Sequence, residues 1–121
     1  MALAAGVNSE TTGTADPTTL SHAAGAGDIR AAIVFITHGT VSTDIVVSVT
    51  YGGTAMTRIR TNSDTATEPG RVYIYYLGTS IPQGTQTVSV DRTEATTAIH
   101  LSCITYTSDA ALDSEAIDND G

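Results

Sequence analysis

The sequence predicts an all-β chain folded as an antiparallel sandwich or jelly roll. Three observations carry that expectation. Short runs rich in Val, Ile, Thr and Tyr recur about every 8–12 residues between Gly, Pro, Asn, Asp and Ser clusters. A helical period of 3.6 does not persist for more than about a turn outside Asp109 to Ala116. Finally, 22 of the 121 residues are threonine and only 15% are charged, against a usual roughly 25%, so Thr, Ser and Gly must form much of the surface.

The elements follow in order. Residues 1–16 combine Ala, Gly, Thr and Ser with two acids and no periodicity, which predicts an extended or flexible N-terminal arm ending at Pro17. Thr18 to His22 is a short first strand. Ile29 to Thr37 (IRAAIVFIT) is a near-continuous apolar run, as expected of a central strand covered on both faces. Asp44 to Thr50 is the next strand, with Ile45, Val47 and Val49 on one face and Val46 and Ser48 on the other. Gly52-Gly53 then joins two β-prone runs, and glycine accepts the positive φ values of a type I′ hairpin. The return strand, Ala55 to Thr61, places Met56, Arg58 and Arg60 on one face. Arg71 to Leu77 and Thr85 to Val90 are further strands, the second with Val88 and Val90 inward. Thr97 to Tyr106 is the last, and either Ile99, Leu101 and Cys103 or Ala98, Ile104 and Tyr106 form its core face. The expected organisation is an arm (1–16), a sandwich (17–112) and an acidic tail (113–121).

Charge separates function classes. Five arginines, no lysine and thirteen acids give a net charge of −8, which argues against nucleic-acid partners and anionic membrane surfaces. The imbalance is local: residues 1–92 hold seven acids and all five arginines, whereas residues 93–121 hold six acids and no base. The longest apolar run, Ala31 to Ile36, is six residues, far short of the roughly 18 that span a bilayer. The N-terminus lacks the basic region of a secretory signal.

Four stretches carry a family resemblance: TTLSHAAGAGDIRAAIVFI (18–36), VSVTYGGTAMTRI (47–59), RVYIYYLGTSIPQGTQTVSV (71–90) and IHLSCITYTSDA (99–110). Together they resemble a jelly-roll-type β-sandwich module of tailed-virus (bacteriophage) structural proteins and some bacterial surface proteins, over residues 17–112. The resemblance implies a non-enzymatic virion protein, most simply a capsid decoration or head-fibre-base subunit. Its partners would be the major capsid protein or another virion protein and copies of itself, with a trimer as the expected oligomer. It implies no cofactor. The module continues for one or two strands past the position of Thr107 to Ala111, whereas this chain turns acidic there. The open edge is left to the tail, to a missing strand or to a neighbouring subunit.

The candidate sites rest on the residues themselves. His22, His38 and His100 lie on separate segments, without the spacing of a metal site. The ending Asp118-Asn119-Asp120-Gly121 is similar to half a calcium loop but lacks the longer ligand run and distal glutamate, so it reads as a solvated acidic tail. No G-x-S-x-G elbow is present, and the single cysteine, Cys103, reads as core. Tyr73 and Tyr75 share a strand face with Arg71. That face suits stacked sugars, as in a tail or fibre module that binds host glycans, a subunit interface or the core. Arg58 and Arg60 are candidates for pairing with acids of a neighbouring subunit. These five residues form the expected interaction surface.

Overall fold

The computed structural model describes residues 4–24, 27–39, 41, 43–64 and 70–108. Among them there is no helix. Nine strands form two antiparallel sheets: β1 (Ala4–Gly13), β2 (Thr18–His22), β3 (Asp28–His38), β4 (Val46–Tyr51), β5 (Thr54–Ala55), β6 (Thr57–Asp64), β7 (Gly70–Leu77), β8 (Gln86–Arg92) and β9 (Ile99–Ser108). The five-stranded sheet runs β1-β9-β3-β7-β6 and the four-stranded sheet β2-β8-β4-β5. The chain is a β-sandwich, as its alternating runs predict.

The core lies between the sheets, where one face of each strand is buried. Val34, Ile36, Tyr73, Tyr75, Leu101 and Cys103 from the larger sheet meet Leu20, Val49, Tyr51, Val88 and Val90 from the smaller. Burying each large side chain contributes about 1.5–3 kcal/mol. β9 chooses the first of its two candidate faces: Ile99, Leu101 and Cys103 point inward, and His100, Ser102, Ile104 and Tyr106 point out.

The Gly-Gly hairpin forms as expected. Gly52 and Gly53 have φ of 57° and 83°, and Tyr51 pairs with Thr54. The return run is broken at Met56. β5 pairs with β4 in the smaller sheet, and β6 crosses to pair with β7 in the larger, while Met56 turns its side chain into the core.

Two expectations are corrected. Residues 4–13, expected as an arm, form β1, paired along most of β9. The chain's own N-terminal segment thus covers that edge of β9. In β4 a register shift between Val46 and Ser48 resets the alternation. Val46 faces inward and Val47 is 61% exposed, the reverse of the even alternation. The acidic tail and its calcium-loop-like ending lie outside the described residues, as do residues 65–69 of the polar loop before β7.

Candidate functional site

The expected interaction surface divides into three places. Tyr73 and Tyr75, alternate residues of β7, both point into the core and are buried. Their ring faces cannot meet a sugar, so the core is the role the structure gives them. Arg58 of β6 lies over both rings, 5.0 Å and 5.4 Å from their centroids. Its Nε donates to the Tyr75 hydroxyl at 2.8 Å. Its Nη atoms donate to the Asp44 carboxylate at 2.5 and 3.3 Å and to the Val46 carbonyl at 2.6 Å. The acid expected from a neighbouring subunit is therefore Asp44 of the same chain. Asp44 precedes β4 and Val46 opens it, so Arg58 of β6 ties the two sheets together.

Electrostatics follow from this packing. Burial pushes the Asp44 carboxyl up, but hydrogen bonds from Arg58 and the Val46 amide, with the Arg58 charge, outweigh it and hold the group below its ordinary value. Burial pushes Tyr73 up to about 12 and also raises Tyr75. The Tyr73 hydroxyl accepts the Ile45 amide at 3.1 Å and lies 3.3 Å from His38 Nε2. His38 Nδ1 is buried without a hydrogen-bond partner. Burial first, then the charges of Arg71 and Arg92, lowers its pKa. Arg71 donates to the Thr61 hydroxyl at 3.1 Å. The cluster is an internal clamp: its tyrosines are held protonated, and its charges are matched within the chain.

The histidines do not converge. His22 is buried on β2, with Nδ1 2.8 Å from the Ser9 hydroxyl and Nε2 3.0 Å from Thr105 Oγ1. It links β1, β2 and β9, and burial lowers its pKa. His100 sits on the outer face of β9 between Thr12 and Glu10. Among the described residues no three of His, Cys, Asp and Glu are grouped to hold a metal ion.

Two polar residues escaped the sequence reading. Gln83 accepts the Ile29 amide at 2.7 Å and donates to the Ile29 carbonyl at 3.1 Å, bonding β3 backbone beyond the β3–β7 ladder, which begins at Ala32. Arg92 ends β8 with a fully buried side chain that binds backbone carbonyls of two separate loops. Only their polarity inside or beside β-prone runs could have marked them.

The outer faces differ. On the smaller sheet Thr19 pairs with Ser89, Ser21 with Thr87, Ser89 with Thr50 and Asp91 with Ser48, a hydroxyl-rich surface on which Val47 of β4 is the exposed apolar exception. On the larger sheet Phe35, Val72 and Ile59 are 39%, 45% and 53% exposed, beside half-buried Ile33, Ile74, Tyr76 and Ile104. Such a contiguous exposed apolar patch marks a contact surface. Arg60 lies on this face, paired in register with Ile74, and is the one member of the predicted set that is open to a partner.

Comparison with known proteins returns no matching family model, no matching curated sequence and no matching solved structure.

Proposed function

We propose that this chain is a jelly roll and a non-enzymatic structural subunit of a tailed-virus particle, a capsid decoration or head-fibre-base protein that holds lattice neighbours together. The observation that carries this reading is the strand order. Without β6, the sheets run β1-β9-β3-β7 and β2-β8-β4-β5, and β1 to β4 alternate between them. This order matches that expected of two interlocked Greek keys in a double-sheet jelly roll and supports that reading. β6 is an addition outside β7. The four stretches that resemble the viral module fall on β2–β3, β4–β6, β7–β8 and β9, so the resemblance and the strand order support each other.

The role needs contact area rather than an active site, and a stable contact takes roughly 800 Å² from each partner. The apolar outer face of the larger sheet is surface of this kind. Particles of the virus that encodes the chain, banded to constant composition, are expected to contain it at a fixed copy number by quantitative mass spectrometry. Its absence from banded particles would overturn the reading.

A further inference from the structure

We infer that the outer face of the five-stranded sheet binds a second copy of this chain, face to face, about a two-fold axis running along β3. The register carries the argument. Glu10 pairs with Ser102, Ser102 with Phe35, Phe35 with Ile74 and Ile74 with Arg60. These residues form one row across all five strands, with Phe35 on the middle strand, an acid at one end and a base at the other. Glu10 and Arg60 are four inter-strand steps apart, about 19 Å, so they cannot pair within one chain. Both are exposed. Arg60 has no hydrogen bond or ion pair among the described residues.

A two-fold axis along the middle strand exchanges the two sheet edges and keeps each row in place. Glu10 of each copy then lies opposite Arg60 of the other, and Phe35 meets Phe35. The adjacent row behaves likewise, setting Ile104 against Tyr76 and Ile33 against Ile33. The alternative axis, across the strands, would set Glu10 against Glu10, which like-charge repulsion disfavours. His100 also lies on this face, but its ring nitrogens are engaged by Thr12 and Glu10, so covering it strands no polar atom. Aligned sheet packing at about 10 Å accommodates this geometry.

The area fits as well. Five strands over about seven residues present a face roughly 24 Å by 24 Å, about 600 Å² in projection before side-chain relief is counted. A standard interface takes roughly 800 Å² from each partner. The pairing does not rest on the virion reading, because two copies associate or fail to associate whatever particle they belong to.

The test is sedimentation equilibrium of the full chain from 1 to 100 µM, a range of about the right order for an interface of this size. The expected mass is twice the 12.4 kDa of one chain. Arg60→Glu and Glu10→Arg should each raise the dissociation constant about tenfold, since two symmetric pairs become repulsive. The double charge swap should return to within about threefold of the parent. A chain that stays monomeric, leaving the face to a different protein, would overturn the inference. So would a trimeric mass, or a double swap no tighter than the single variants.

Discussion

Replacing Arg92 by leucine should unfold the end of the sandwich first. Its guanidinium donates to the carbonyls of Gly13 and Ala15 at 3.4 and 3.2 Å, to the Thr18 hydroxyl at 3.2 Å, to Glu94 at 3.3 Å and to the Thr97 carbonyl. The Arg92 amide adds a bond to Asp16 at 3.0 Å, which the substitution leaves intact. The side chain thus fastens the β1–β2 connection to the loop before β9. Leucine fills much of the volume but strands the buried Thr97 carbonyl and takes a donor from those of Gly13 and Ala15, the latter keeping the Thr18 hydroxyl, at about 1–3 kcal/mol for a buried group left unpaired. Part of that cost is recovered because burying a charge no longer has to be offset. The net expectation is a loss of about 3 kcal/mol, or roughly 12 °C in Tm for a domain of this size. Urea unfolding followed by circular dichroism measures it, and hydrogen exchange locates it, with β1 amides exchanging faster than those of β3 or β7. Lysine at this position keeps the charge but lacks the planar fork and should restore less than half. A loss below about 1 kcal/mol, or uniform exchange across all strands, would refute the reasoning.

Three other outcomes concern single sites. Tyr51 is fully buried and its hydroxyl has no hydrogen-bond partner, so Tyr51→Phe should stabilise by about 1 kcal/mol; a loss in urea midpoint would show that the hydroxyl is bonded after all. Burial holds His22 and His38 below the ordinary histidine value of 6.5, so below that pH the unfolded chain binds more protons and stability falls. Asp44 and Glu94 are held low, Glu94 to about 2 mainly by the Thr96 hydroxyl and amide, so their stabilisation is lost only in stronger acid. Between pH 7 and 5 the slope therefore belongs to the histidines, and His22→Gln should flatten it; an unchanged slope would exclude His22. In the hairpin, Gly53 has open space, while a Cβ on Gly52 would fall 2.6 Å from Gln86 Oε1 and 2.9 Å from Pro82 Cβ. Both positions have positive φ, so Gly53→Ala should cost about 1 kcal/mol and Gly52→Ala distinctly more by thermal melting; the reverse order would contradict the turn geometry.

Local signals set how much of the fold is legible in the sequence. β2 spans the expected Thr18 to His22, β8 keeps Val88 and Val90 inward, and Gly52-Gly53 forms the turn its backbone freedom predicts. β1 is illegible because AAGVNSETTG has no apolar alternation. Its place is decided by partners about 90 residues away in sequence, the β9 ladder and the contacts of Glu10 and Asn8. The shifts at Val46/Ser48 and Arg58/Arg60 are invisible for another reason: one extra residue flips the parity of the rest of the strand without changing composition. In the candidate site, the shared face of Tyr73 and Tyr75 is legible, but its direction is not, because nothing in RVYIYYL says which face the other sheet covers.

The same ambiguity bears on function. A strand apolar on both faces ordinarily means cover on both sides, and β3 and β7 are such strands, with Ile33 and Phe35 opposite Val34 and Ile36, and Val72 and Ile74 opposite Tyr73 and Tyr75. The fold covers only the second set. The smaller sheet carries mainly Ser and Thr on its outside, with Val47 the exposed exception, so the fold does not require an apolar outer face. Phe35, Val72 and Ile59 thus add nothing to the core and cost solubility where they stand. Their burial against a second sheet is the physical role left to them, and the acid-to-base row through Phe35 gives that contact a direction.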